Sequence, residues 1–416
     1  MAATAARVMK LEALRIPAPL RGFDAGDAQV FDVTLAGDRV ESIVPSAQQQ
    51  QQQHARGTLL SALVEAHAHI DKNYTVQDVG AAQGDLFTAI DRMNRHRDSW
   101  TGESLRLRMT RALQDAWQSG TRALRTHIDW VQAEPPAALP VFEALREEWR
   151  GRVELQFVSL TPLDLFADLA AGERIAREVK RAGGTLGAFV YRNEGIVHKL
   201  GRVFDLAQQH GLGLDFHVDE GIDVEASGLR SIAQLVRARD FKRSVVCGHA
   251  CSLAMQDDAV ANETLALCAG AGLHIVALPT TNLYLQGAWD RTPVARGITR
   301  IREAAAWGLR ASLATDNVQD AFYPYGSYDL LETFGLGVQM AHLAPASDWL
   351  DAITVSPAKA LGLAWDGRIA PGCPADLVLL AATDEHELVG PRGRQRTVIR
   401  HGRILEAQTN PESIQK

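Results

Sequence analysis

Leu59-Leu60-Ser61-Ala62-Leu63-Val64 runs directly into Glu65-Ala66-His67-Ala68-His69-Ile70-Asp71-Lys72. The apolar run reads as a short buried strand. Two histidines separated by one residue follow it. In a strand, residues i and i+2 point the same way, so both imidazoles enter one space at the strand end. A single divalent ion can reach both there, and neutral imidazole suits zinc, iron, nickel and copper. Taken alone, the pattern equally describes two histidines on a solvent face. The rest of the chain decides between these readings.

From Leu59 onward the chain repeats one grammar of strand, loop and helix. Further strand candidates are Ala123–Ile128, Val153–Leu160, Leu186–Val190, Leu212–Val218, Ser244–Cys247, Leu273–Leu278 and Leu309–Ala314. With the strand before His67 they make eight. A helix is expected from Ser104 to Gly120, where Leu105, Leu107, Met109, Leu113 and Trp117 mostly keep a helical face and Gly120 stops the helix. Eight buried strands alternating with helices predict a parallel (β/α)8 barrel of the TIM type. A doubly wound nucleotide-binding sheet is the alternative, but it would open on a glycine-rich phosphate turn, and here the first strand ends in histidines. The first 60 residues read as short strands and turns, with a hairpin around Ala36-Gly37-Asp38. The tail, around Ala375–Leu380 and Arg396–Leu405, returns to that character. The expected division is a small β-sandwich-like domain from residues 1–58 and 364–416, beside a barrel over 59–363. Gln48–Gln53 is read as a loop with no catalytic role.

Composition narrows the function class. The chain has 416 residues, 46% hydrophobic and 22% charged, as a soluble enzyme would. A net charge of −7 with no basic stripe argues against a nucleic-acid partner. No apolar run is long enough for a membrane span, and Met1–Arg7 shows no signal peptide. Cys247, Cys251, Cys268 and Cys373 fit a reducing cytoplasm, and Cys247-x-x-x-Cys251 is read as buried thiols rather than a zinc pair.

In such a barrel the active site gathers at the C-terminal ends of the strands. The first strand ends in His67 and His69, and the second in His127-Ile128-Asp129. The fifth ends in His217-Val218-Asp219-Glu220, the sixth in Gly248-His249 and the eighth in Asp316-Asn317. A scatter of 13 histidines would not place so many directly after apolar runs. A catalytic metal needs three or four protein ligands and an open position. His67, His69, His217 and Asp316 supply that set. The fourth strand ends Tyr191-Arg192-Asn193-Glu194, without the lysine that a bridged pair of metals would use, so one ion is expected. It would lower the pKa of bound water toward ~7. Glu220 is placed to move protons and His249 to steady developing charge.

His67-Ala68-His69, His217-Val218-Asp219-Glu220, Gly248-His249 and Asp316-Asn317 together resemble the amidohydrolase superfamily, and within it the bacterial cytosine deaminase group. Arg125-Thr-His-Ile-Asp, Leu285-Gln-Gly, Arg296-Gly-Ile-Thr-Arg and Tyr323-Pro-Tyr-Gly extend the likeness over most of the chain. The resemblance implies one zinc or iron held by His67, His69, His217 and Asp316. It also implies Glu220 as proton shuttle to a ring nitrogen, His249 orienting the attacking water, and Asp316 as the base that deprotonates it. Two departures bear on substrate. Pro162 stands where cytosine deaminases carry a glutamine that reads the pyrimidine amide edge, and proline cannot make that hydrogen-bond pair. Asn317 replaces a second aspartate. His69-Ile-Asp-Lys72 and Asp316-Asn317 look more like relatives acting on substituted aminotriazines, which however lack the Glu220 equivalent.

The expected function is therefore hydrolytic deamination of an amino-substituted nitrogen heterocycle: a modified pyrimidine, a pterin-like bicycle or an aminotriazine. Cytosine itself is expected to be a poor substrate. One alternative releases an alkylamine from a substituted triazine; another, of a different class, is a non-catalytic barrel scaffold. Pro162, Asn317 and Phe322 are candidate substrate contacts. Arg192 is a fourth, read equally well as a surface ion pair. The partner is a small molecule, and the resemblance implies a homo-oligomer.

Overall fold

The computed structural model describes residues 8–47, 55–82 and 84–406. The glutamine run Gln48–Gln53 and the segment Met1–Arg7 lie outside them. Eight parallel strands stand side by side in chain order: Leu63–Ala68, Thr121–Asp129, Glu154–Pro162, Thr185–Val190, Leu214–Val218, Val245–His249, His274–Ala277 and Ser312–Leu313. Helices separate most of them, and burial is complete along the first, fifth and sixth. The barrel closes where the first and last strands meet. Ala68 and Asp316 form a parallel bridge there, and Asp316 N donates to His67 O at 3.0 Å.

The apolar run Leu59–Val64 divides. Gly57–Ser61 belongs to a second sheet, and only Leu63–Ala68 enters the barrel. The boundary expected between residues 58 and 59 thus falls inside a strand, and the chain changes sheets at Ala62. Both halves are fully buried, so one continuous run served two sheets. The eighth strand is also shorter than Leu309–Ala314: two residues, followed by Asp316 at φ 62°.

The second sheet has seven strands drawn from both chain ends. Their order is Arg403–Ile404, Arg396–Arg400, Leu377–Leu380, Gly57–Ser61, Val8–Arg15, Val30–Ala36 and Arg39–Pro45. The hairpin read around Gly37 is present, with Ala36 opposite Arg39. Arg122 of the second barrel strand binds Asp376 at 2.6 Å, and Arg396 binds Asp329, so ion pairs tie this sheet to the barrel.

The helix Gly102–Ser119 shows how local sequence fixes the outer layer. The Thr101 side chain accepts from Ser104 N, and Ser104 Oγ accepts from Thr101 N, both at 3.1 Å. Gly120, at φ 108°, ends the helix in a conformation that suits glycine. Leu105, Met109 and Leu113 are buried as expected, whereas Leu107 is exposed.

Candidate metal centre and active site

Four donors from three places in the chain converge at the C-terminal end of the barrel. His67 Nε2 lies 3.1 Å from His217 Nε2, and His217 Nε2 lies 3.2 Å from His69 Nε2. Asp316 Oδ1 is 3.2 Å from His69 Nε2 and 3.6 Å from His67 Nε2. Bonds of about 2.0–2.1 Å in a tetrahedron put donor atoms about 3.3 Å apart, so these spacings fit a cation at the centre. Side-chain chemistry agrees. Neither Asp316 oxygen has a hydrogen-bond partner among the described residues. Burial, then the neighbouring imidazoles, hold His67 and His217 well below the usual histidine range, hence neutral as ligands must be. His69 Nδ1 lies 3.2 Å from the His127 carbonyl; as donor to it, Nδ1 leaves the Nε2 lone pair free.

Backbone geometry helps to place these groups. Asp316 and His249 both sit in the left-handed region, at φ 62° and 69°. Non-glycine residues seldom occur there, and such conformers cluster at functional sites. Glu65, two residues before His67, was not singled out from the sequence. It is buried inside the closing seam, where its carboxylate accepts from His67 N at 3.0 Å, Thr315 N at 3.1 Å and Thr315 Oγ1 at 2.7 Å. It thereby clamps the first strand to the residue before Asp316. Burial pushes this carboxyl up to about 8 against the pull of those donors.

A cavity of about 450 Å³ opens beside the cluster, bordered by His69, His217, Glu220 and His249. Burial, then the charge of Asp316, raise the Glu220 carboxyl well above its ordinary range, while Lys72 pulls it down by less. Glu220 Oε1 stands 3.5 Å from His249 Nδ1. Asn282 Nδ2 lies 3.1 Å from the same Nδ1, and with Nδ1 as acceptor the ring proton of His249 sits on Nε2. Burial lowers His249 to about 4, so it is a neutral N–H donor at pH 7.

Of the candidate substrate contacts, Pro162, Asn317 and Phe322 line this cavity, and Arg192 does not. Arg192 is half exposed and grips both oxygens of Asp223, at 2.5 and 2.9 Å. Of its two readings, the surface ion pair is the one realised. Asn317 Nδ2 donates to Asp320 Oδ2 at 2.7 Å, which leaves its carbonyl oxygen for the cavity. Trp130 is core, and Cys247, Cys251 and Cys268 are buried free thiols.

A further wall of the cavity is built around Lys72 and Asp129, for which the sequence suggested only pairing or structural roles. Lys72 Nζ binds Asp129 Oδ1 at 2.7 Å and lies 5.0 Å from the Phe322 ring centroid. Arg97 takes the other Asp129 oxygen, and Asp71 Oδ2 accepts from Asp129 N. Burial alone would raise Asp129, but Lys72 and Arg97 outweigh it and hold the carboxyl low. Helix Leu86–Arg97 completes the wall with Leu86, Ile90 and Met93. Its N-terminal Asp85 cap, at 3.0 Å from Thr88 N, was the available signal for that helix.

Known proteins share this architecture along nearly the whole chain. The pterin deaminase of Rhizobium rhizogenes (strain K84) is 36% identical over 382 residues, covering 90% of this chain and 87% of the relative. A crystal structure of 5-methylcytosine deaminase from Klebsiella pneumoniae liganded with phosphonocytosine superposes with a TM-score of 0.83 at 28% identity, over 96% of this chain and 98% of that one. N-isopropylammelide isopropylaminohydrolase from Burkholderia multivorans superposes with a TM-score of 0.74 at 25% identity, over 95% and 98%. The model of the amidohydrolase family matches residues 88–405. That match spans well over half of the sequence, and the curated relative is more than a third identical, so this chain belongs to the amidohydrolase family.

Proposed function

We propose that the chain is a metal-dependent hydrolytic deaminase of an amino-substituted nitrogen heterocycle, with a pterin-like bicycle as the favoured substrate class. One observation carries the reading: three imidazoles and one carboxylate converge beside a cavity that Glu220 also borders. His67, His69, His217 and Asp316 hold one divalent ion, zinc or iron. When bound, that ion lowers the pKa of a water molecule toward ~7 and so supplies a nucleophile at neutral pH. The chain's own groups do the rest. Asp316 takes a proton from the water as its oxygen adds to the ring carbon bearing the amine. His249 donates its Nε2 hydrogen to the developing oxygen. Glu220 gives its proton to the adjacent ring nitrogen. Proton return to the exocyclic nitrogen then releases ammonia and leaves a ring carbonyl.

The cavity supports this substrate class. Its size lies in the range of small-molecule sites, about 300–1,000 Å³. Phe322 offers a ring face and Asn317 an acceptor oxygen, while Pro162 offers no amide to a pyrimidine edge. The likeness to a pterin deaminase supports a bicycle. The likeness to an isopropylaminohydrolase keeps amine release from a triazine as the second reading. Four free cysteines accord with the cytoplasm, and no helix among the described residues is long and apolar enough to cross a membrane.

The test is a panel of pterins, pyrimidines and aminotriazines assayed for released ammonia and released alkylamine. Ammonia from a pterin supports the reading. Alkylamine alone supports the triazine alternative, and turnover of cytosine close to the diffusional range would overturn the assignment of Pro162.

A further inference from the structure

One layer deeper in the barrel than the metal cluster lies a second set of buried polar groups. Asp215 and Arg125 precede His217 and His127 by two residues on the fifth and second strands, so they share the inward face one step down. His127 stacks on His67, with ring centroids 3.9 Å apart and planes at 28°. Neither ring nitrogen of His127 has a hydrogen-bond partner among the described residues, and the same holds for His67 Nδ1 and Asp215 Oδ1. One donor atom from each of His67, His127 and Asp215, a ring nitrogen or a carboxylate oxygen, falls within 4.8 Å of the other two. All three residues are at most 1% exposed. His127 Nε2 and Asp215 Oδ1 stand 3.9 Å apart, too far for a hydrogen bond and suited to a bridged one.

Two occupants could satisfy these atoms: a second cation or a water molecule. Asp215 Oδ2 already accepts from Arg125 Nη1 at 2.9 Å. That guanidinium neutralises the carboxylate and repels another cation. A water carries no charge, donates to Asp215 Oδ1 and accepts from an imidazole N–H, and buried waters occupy sites with two to four such partners.

We propose that one ordered water joins His67, His127 and Asp215, and that through it Asp215 and Arg125 fix the tautomer and tilt of His67. The proton is then held on His67 Nδ1, and Nε2 keeps its lone pair toward the metal. Asp215 and His127 are positioning residues for the metal centre. This inference rests on the reading that His67 holds a metal ion.

The experiment compares wild type with Asp215→Asn and His127→Phe. The phenylalanine keeps the stack and removes both nitrogens. Metal affinity is read by chelator competition, and the cobalt(II)-substituted proteins are read by their visible absorption bands. Outer partners of ligating histidines are worth about 10- to 100-fold in metal affinity, and a loss of that size with shifted cobalt bands is expected in both variants. A high-resolution crystal structure of the metal-loaded wild type should show one water between the three residues, which decides the matter even if a variant fails to fold. Wild-type affinity and cobalt bands in both variants would overturn the relay, as would density for a second metal ion in place of the water. A wild type that binds no metal at all would overturn the metal centre itself, a different outcome from unaffected variants around a bound ion.

Discussion

Replacing Glu220 with glutamine should stop turnover and leave the metal in place. The substitution keeps the side chain's shape and removes its transferable proton. Glu220 is 4% exposed, forms part of the cavity wall and lies 3.5 Å from His249 Nδ1. Burial and then the charge of Asp316 raise its carboxyl well above the ordinary glutamate range, which favours the protonated form needed to deliver a proton to a ring nitrogen. A positioned general acid contributes about 100- to 10,000-fold. At 1.36 kcal/mol per tenfold, that is about 2.7–5.4 kcal/mol of barrier. The assay is ammonia release from the best substrate in the panel, with metal content measured on the same preparation. The expected result is a fall in kcat of that size with KM changed far less, because the shape of the wall is kept. Metal should stay at the wild-type level, since the Glu220 carboxyl is not one of the four converging donors. A variant that retained most of its activity would remove Glu220 from the mechanism, and one that lost its metal would show that the carboxyl acts on the cluster instead.

The same group sets the pH dependence: Glu220 works when protonated and its pKa is raised, so kcat should hold above the ordinary glutamate range and fall as pH rises through that raised value. A decline already under way near pH 4–5, about the unperturbed glutamate value, would contradict this. Lys72→Met leaves Asp129 buried with Arg97 as its remaining cation; removing one partner of a buried pair costs about 3–5 kcal/mol, so the urea midpoint should drop clearly. An unchanged midpoint would show that Arg97 alone suffices. Gly248→Ala would put a Cβ 2.8 Å from His67 Cε1 and 2.9 Å from Nδ1. The ring must move, and metal content should fall while the far-ultraviolet circular dichroism stays native; full metal retention would refute the close approach.

Much of the site was legible because its signals are local. His67-x-His69 needs only strand alternation, and His217, His249 and Asp316 each follow an apolar run. What escaped notice depends on long-range pairing. Lys72 meets Asp129 across 57 positions, and nothing near Lys72 announces its partner. Arg192 and Asp223 likewise pair only once the fourth and fifth strands lie side by side. Helix Leu86–Arg97 presents its apolar face to the cavity, a pattern that reads the same as core packing. Glu65 hides inside an apolar run because its hydrogen-bond partners come from the eighth strand. The change of sheet at Ala62 is invisible for a related reason: strands buried on both faces carry no alternation to mark where one sheet ends.

Metal stoichiometry tests the central claim most directly. Elemental analysis of wild type and His217→Ala, purified in parallel and both shown to be folded, should find about one zinc or iron per wild-type chain and almost none in the variant. A metal-free wild type would return the scaffold reading to favour, and an undiminished ion in His217→Ala would mean that these four side chains do not hold it.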